Sequence, residues 1–109
     1  MLLYHVTTDD SLKSIFENGL VPQIGRRAYN LNEPFPKVFF FRSISDVLDG
    51  VGNWMGEEFD EESHLFVLVI EVEDPSLVHP TFETEESWEF FSTDAIPPEW
   101  IKLCPIELN

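Results

Sequence analysis

The segment from His64 to Val72 most constrains the fold of this chain, because six consecutive apolar residues, Leu65 to Ile70, lie inside it. A strand with one face in water alternates apolar and polar residues, and this run does not alternate. The pattern therefore predicts a strand buried on both faces, in the centre of a sheet. The run is far too short to span a bilayer.

The N-terminal half predicts strands and helices in alternation. Leu2 to Val6 suits a buried strand, and the residues after it carry helical apolar spacing that ends at Gly19, a residue suited to a left-handed cap. Lys37 to Phe41 is a Phe-rich, β-favouring run. Ser43 to Asp46 has the pattern of a capping box, which predicts a second helix directly after it.

The C-terminal half predicts mostly strands. Beyond the central run, short strands are expected at Leu77 to His79, at Trp88 to Phe91 and at Trp100 to Leu108. Pro105 interrupts the last of these and places it at a sheet edge. Helices in the N-terminal half followed by a run of strands indicate an α+β fold. The 109 residues fit a single domain, residues 1–109.

Two absences in the sequence bear on the cellular compartment of the protein. Cys104 is the one cysteine, so no internal disulfide forms and nothing favours secretion. The segment Met1 to His5 has neither the basic region nor the long apolar region of a signal peptide. We expect a cytoplasmic protein with no membrane partner. No spacing of His, Cys, Asp and Glu predicts a metal site.

Charge is distributed unevenly along the chain, whose formal net charge is −15. Residues 1–54 hold six acids against five bases, a net of −1, whereas residues 55–109 hold fifteen acids against Lys102 alone, a net of −14. A field of that sign repels free nucleic acid and attracts basic proteins. An anionic ligand is therefore expected at the N-terminal half, where a long loop over residues 21–36 carries Arg26 and Arg27.

Four blocks of sequence together resemble the ADP-ribosyltransferase superfamily, in the manner of RNA 2′-phosphotransferases and DNA-targeting ADP-ribosyltransferase toxins. They are Tyr4-His5-Val6-Thr7 with the following Asn18-Gly19-Leu20, then Val38 to Ser43, then Leu65 to Val72, and finally Trp88-Glu89-Phe90-Phe91 with Ile96-Pro97-Pro98. The blocks stand in the order found in that superfamily and cover most of the chain. The resemblance implies two small packed sheets, antiparallel or mixed, with two helices in the N-terminal half, and NAD as the substrate.

The resemblance also assigns catalytic roles. It implies that His5, on the first strand, holds the ribose next to nicotinamide, with Thr7 beside it. It implies that Glu89, on a late strand, bonds the ribose 2′-hydroxyl and stabilises the oxocarbenium-like transition state. A carboxylate suits that chemistry, because positive charge develops on the ribose as the glycosidic bond breaks.

Further residues are implied to bind NAD. The Phe40 to Ser43 stretch, and within it Phe41, Arg42 and Ser43, corresponds to the part of the family that positions nicotinamide. Arginines clamp pyrophosphate through bidentate hydrogen bonds, which assigns Arg26 and Arg27 to the phosphates. The chain departs from the family at residue 87, where Ser stands in place of a second glutamate and argues against arginine as the acceptor.

Most candidate residues also have a simpler interpretation, and for His5 it is a strand residue with one face in water. Glu89 alternates with Trp88 and Phe90, as a solvent-facing strand carboxylate does. Ser43 suits a helix N-cap, and Arg42 suits an ion pair with one of the many acids. Arg26 and Arg27 would equally solubilise an exposed loop.

Three functions remain open from the sequence. The first is an enzyme, a transferase of the glycosyltransferase type that passes ADP-ribose from NAD to a protein or nucleic-acid acceptor. The second is an inactive acidic binding protein that mimics nucleic acid and inhibits a basic partner through the C-terminal half, as phage inhibitors of bacterial defence do. The third is a hydrolase that consumes NAD without a macromolecular acceptor.

Overall fold

The computed structural model describes residues 1–22, 36–53, 64–82 and 87–107. Within these ranges the elements follow one another as β1 (Leu2–Thr8), α1 (Asp9–Asn18), β2 (Val38–Phe41), α2 (Ile44–Asn53), β3 (Leu65–Glu71), β4 (His79–Pro80), β5 (Glu89–Ser92) and β6 (Ile101–Glu107). Single 3-10 turns at Pro75–Leu77 and Pro98–Trp100 precede β4 and β6.

The described strands form one six-stranded sheet in the order β4-β5-β2-β1-β3-β6, and every pairing in it is antiparallel. The α+β class is therefore confirmed, whereas the two packed sheets expected from the resemblance are not observed. The physical reason is that β1 pairs with β2 on one side and β3 on the other, which joins all six strands. The interior position of β3 agrees with its non-alternating apolar run, and β6 lies at an edge as Pro105 predicted.

The two helices cover opposite faces of the sheet, so the molecule has three layers. On one face, Ile15 of α1 packs among Leu3, Leu68 and Ile70, all buried. On the other face, Val47 of α2 belongs to a second core cluster, with Val6, Phe41, Leu65 and Val67. Each sheet face thus buries its apolar side chains against a helix rather than against another sheet.

The end of α1 is fixed by Gly19. Its N–H bonds the carbonyl of Ile15 at 2.7 Å, and its φ of 83° and ψ of −173° lie in a region that only glycine adopts readily. The expected left-handed cap is therefore replaced by a more extended backbone with the same sign of φ. Leu20 then exchanges two backbone hydrogen bonds with Ile96, of 3.0 and 2.9 Å, which hold α1 against the turn before β6.

Two interfaces of β1 differ in extent. The ladder between β1 and β3 runs through seven residue pairs, from Leu2 opposite Glu71 to Thr8 opposite Leu65. The ladder between β1 and β2 has one pair, Tyr4 opposite Phe41. We call this short junction between β1 and β2 the seam, and the first candidate site residue lies in it.

Candidate functional site

His5 bridges the seam with its side chain. Its Nδ1 lies 2.7 Å from the backbone carbonyl oxygen of Phe39, and because a carbonyl only accepts, Nδ1 carries the proton. Burial lowers the pKa of His5 below its ordinary value of 6.5, and the hydrogen bond to Phe39 offsets part of that effect. His5 is therefore a neutral imidazole near pH 7, with Nδ1–H donating and Nε2 left as a hydrogen-bond acceptor.

Glu89 is a buried carboxylate at the start of β5, with 1% of its surface exposed. The interpretation of Glu89 as a solvent-facing strand residue is therefore wrong. The alternation of Glu89 with Trp88 and Phe90 does not indicate exposure here. Phe41 of β2 is the cross-strand partner of Glu89, and α2 covers the face that carries both side chains. Carboxylates are rarely fully buried in proteins, since removal from water costs free energy.

The backbone beneath Glu89 is held from two directions. Its carbonyl oxygen accepts a hydrogen bond from the Ser87 hydroxyl at 2.7 Å and another from the Thr81 N–H at 3.0 Å. Ser87 is itself buried, and its hydroxyl oxygen lies 3.4 Å from the Phe82 N–H. This arrangement fixes the position from which the carboxylate projects, as a preorganised electrostatic group requires.

Aromatic rings line the chain around Glu89. The Trp88 ring stacks on Phe41, with ring centroids 5.9 Å apart and planes inclined by 23°, and it meets Phe82 at 5.4 Å. The Trp88 carbonyl accepts the Arg42 N–H at 3.0 Å, which ties the start of β5 to the end of β2. Apolar rings exclude water and strengthen the electrostatic effect of a nearby carboxylate.

The residues after β2 are engaged in capping α2. The Ser43 hydroxyl accepts the Asp46 N–H at 3.1 Å, so Ser43 caps α2 as the sequence pattern predicted, and the same hydroxyl donates to the Asp46 carboxylate at 2.8 Å. Arg42 Nε lies 3.6 Å from the same carboxylate. Both residues thus have structural partners, in agreement with the simpler interpretations of them.

The predicted site residues divide between the two faces of the sheet. Tyr4 opposes Phe41 and Phe41 opposes Glu89, so these three side chains share the face covered by α2. His5 and the buried Thr7 project to the other face, because neighbouring residues of a strand alternate. The structure therefore brings Phe41 and Glu89 together, and it places His5 on the opposite face of the sheet, two strands from β5. Arg26 and Arg27 lie outside the described residues.

One polar residue beside Glu89 was missed by sequence reasoning. Thr81 follows β4 and opposes Glu89, since its N–H continues the β4–β5 ladder. No sequence signal indicates Thr81, because only the pairing of two short strands places it there.

Two comparisons with known proteins were informative only in finding no match. No protein-family model matches the chain, and no curated protein matches its sequence. In the part of the chain that the structure describes, no helix is long and apolar enough to cross a membrane. The same residues hold no cluster of three or more His, Cys, Asp or Glu side chains suited to a metal ion.

Proposed function

We propose that this protein is an NAD-dependent ADP-ribosyltransferase, which transfers ADP-ribose from NAD to an acceptor. The observation that carries the proposal is Glu89, a carboxylate with 1% of its surface exposed, on a backbone held by two hydrogen bonds. A carboxylate held away from water in this way is expected where positive charge must be stabilised. The sequence resemblance supplies the reaction in which that charge arises.

The chemistry requires a fixed anion close to the ribose. As the bond between ribose and nicotinamide breaks, positive charge spreads over C1′ and the ring oxygen. A carboxylate stabilises this charge best when it is already oriented and when water is excluded. Glu89 meets both conditions, because its backbone is fixed and the Trp88 and Phe41 rings pack at its side of the sheet.

His5 has the hydrogen-bonding character that a ribose-binding residue needs. Its Nδ1–H is committed to Phe39, and the lowered pKa keeps the ring neutral, so Nε2 accepts a hydrogen bond. A sugar hydroxyl donates to such an acceptor, whereas a phosphate has no proton to give it. We assign the ribose to His5 at the seam.

The other residues that the resemblance assigns to NAD have different partners in the structure. Phe41 is the cross-strand partner of Glu89 and is assigned to the nicotinamide end of NAD. Arg42 reaches a phosphate only in competition with Asp46, which it already contacts, and Ser43 is committed to the helix cap. The phosphates are therefore assigned to Arg26 and Arg27.

The first test is NAD titration calorimetry with variants that separate the two nitrogens of His5. His5→Asn retains a donor near the position of Nδ1 and loses Nε2, whereas His5→Gln places an amide near the position of Nε2. We expect His5→Asn to fold and to lose NAD affinity. Normal NAD binding by a folded His5→Asn protein would reduce His5 to a structural bridge.

The second test is nicotinamide release by Glu89→Gln, which preserves size and removes the charge. We expect Glu89→Gln to bind NAD and to release nicotinamide at least about 100-fold more slowly than wild type, as for the loss of one preorganised electrostatic group. Glu99→Gln is the matched control, because Glu99 is exposed. Absence of NAD binding by wild-type protein at millimolar concentration would end the proposal.

A second candidate function rests on the distribution of charge. Five described acids of the C-terminal half are exposed, namely Glu71, Glu73, Asp74, Asp94 and Glu99. Such a surface favours a nucleic-acid mimic that occupies a basic groove on a partner protein. The test is displacement of duplex DNA from a basic DNA-binding protein at low and high salt. Salt-sensitive displacement that His5→Asn and Glu89→Gln leave unchanged would favour this function over the enzyme.

A further inference from the structure

Thr81 and Glu89 project side by side from neighbouring strands. His79 opposes Phe91 and Pro80 opposes Phe90, and the 3.0 Å hydrogen bond from the Thr81 N–H to the Glu89 carbonyl extends this register by one residue. Directly opposed residues of an antiparallel pair place their Cβ atoms roughly 5 Å apart on one face. The Thr81 and Glu89 side chains thus leave the sheet next to each other, on the same face.

The Thr81 hydroxyl is buried, and its Oγ1 has no hydrogen-bond partner among the described residues. The nearby hydroxyl of Ser87 is different, because it is also buried but donates to the Glu89 carbonyl at 2.7 Å. A buried hydroxyl without a partner destabilises a fold relative to an apolar side chain of the same shape. The two hydroxyls beside Glu89 therefore differ, because the Ser87 hydroxyl has a partner within the fold and the buried Thr81 hydroxyl has none among the described residues.

The position of Thr81 in the sheet indicates which ligand it meets. The strand order places β5 between β4 on one side and β2, followed by β1, on the other. If NAD lies toward the seam, as proposed above, Thr81 is on the far side of Glu89 from NAD. A group bound beside Thr81 would therefore reach the ribose from the side away from the seam.

We propose that Thr81 and Glu89 together bind the hydroxyl group of the acceptor, an inference that rests on the proposed function. A hydroxyl has one proton to donate and two lone pairs, so it donates to the Glu89 carboxylate, accepts from the Thr81 hydroxyl and keeps one lone pair for attack. An ammonium or guanidinium group lacks a lone pair and is excluded from this role. The acceptor class is an oxygen nucleophile, either water or an alcohol.

The transfer step balances without a further reagent. The bond between C1′ and the nicotinamide nitrogen breaks, and its electron pair leaves with neutral nicotinamide. The acceptor oxygen forms a new bond to C1′ with its free lone pair. Its proton passes to the Glu89 carboxylate and from there to solvent. The products are nicotinamide, an O-linked ADP-ribose and one proton.

The test compares Thr81→Val, which replaces the hydroxyl with a methyl group, with Thr81→Ser, which retains it. NAD binding is measured by calorimetry, and nicotinamide release is measured in water and with added methanol. We expect Thr81→Val to bind NAD as wild type does and to release nicotinamide at least about tenfold more slowly, the effect of one lost hydrogen bond. Thr81→Ser is expected to release it at close to the wild-type rate.

Thermal unfolding supplies the second measurement. We expect Thr81→Val to unfold at or above the wild-type temperature, and Ser87→Ala, the matched control, to unfold below it. A lower unfolding temperature for Thr81→Val would show that the hydroxyl has a structural role and would overturn the inference. This readout requires no NAD.

The reaction outcomes separate this inference from the function on which it rests. Failure of wild-type protein to bind NAD would overturn both. Nicotinamide release by Thr81→Val at the wild-type rate would overturn the inference alone, and so would NAD binding by wild type with no release in water or methanol. Free ADP-ribose as the product identifies water as the nucleophile, and methyl ADP-riboside shows that an alcohol is accepted; either product supports the inference.

Discussion

The two interfaces of β1 differ in what holds them together. Toward β3, seven residue pairs and buried side chains such as Leu3 and Leu68 form a continuous ladder over a packed core. Toward β2, the backbone contributes the single pair Tyr4–Phe41, and the His5 imidazole supplies a further hydrogen bond to the Phe39 carbonyl. The candidate site residues Phe41 and Glu89 lie on the β2 side. We therefore call β1 with β3 the firm half of the sheet, and the candidate site residues lie on the other side, where β1 and β2 share the shortest ladder.

The firm half is broken most directly at Leu68, which is fully buried and opposes both His5 and Leu103. We expect Leu68→Ala to lower the free energy of unfolding by about 2 to 5 kcal/mol, through lost burial and an unfilled cavity. Val69→Ala on the same strand is the control, since Val69 is half-buried, and it is expected to cost less. Urea unfolding measures the free energy of unfolding of both variants. Equal losses would show that β3 is not packed more tightly on the side of α1.

Gly19 tests how α1 is held on the firm half. A Cβ at this position would lie 2.0 Å from the Ile96 carbonyl oxygen, and the φ of 83° is itself unfavourable for other residues. We expect Gly19→Ala to cost about 2 to 4 kcal/mol, from backbone strain together with weakened Leu20–Ile96 hydrogen bonds. Thermal unfolding checks this. An unchanged free energy of unfolding in Gly19→Ala would show that the turn before β6 moves away from the added Cβ without weakening the fold.

The pH dependence of stability tests the seam. The folded pKa of His5 is lowered, so below pH 6.5 the unfolded chain binds a proton that the folded chain resists. His5 therefore lowers stability as the pH falls through 6.5 toward its folded pKa, and this contribution is absent above that window. The free energy of unfolding of wild type relative to His5→Asn, measured by urea titration across the window, should fall with pH. A constant difference would show that His5 titrates normally.

The smallest expected effect is at the cap of α2, beside the seam. Ser43→Ala removes the hydroxyl that bonds the Asp46 N–H, and we expect a loss of about 1 kcal/mol in the free energy of unfolding. Ser45→Ala is the matched control, because Ser45 lies two residues later and is exposed. Urea unfolding of the pair compares a capping serine with a surface serine. Equal losses in the free energy of unfolding of the two variants would show that the Ser43 cap contributes nothing to stability.

Local signals in the sequence were enough to identify most of the elements. Gly19 ended α1, the Ser43 to Asp46 pattern began α2, and the apolar run from Leu65 marked β3, because each depends on neighbours a few residues away. The same kind of reasoning failed for β4, where a short strand expected at Leu77 to His79 became a 3-10 turn followed by His79–Pro80. Two-residue strands are set by their partners rather than by their own residues.

What the sequence determined by itself is the α+β class, the interior position of the Leu65 strand, the edge position of the Pro105 strand and the uneven charge. Tertiary structure alone decided that one sheet joins all six strands, that Glu89 is buried, and that Thr81 lies beside it. The physical reason is the range of the interactions. Helix caps and apolar periodicity act between residues close in the chain, whereas the burial of Glu89 depends on Phe41 and α2, more than thirty residues away.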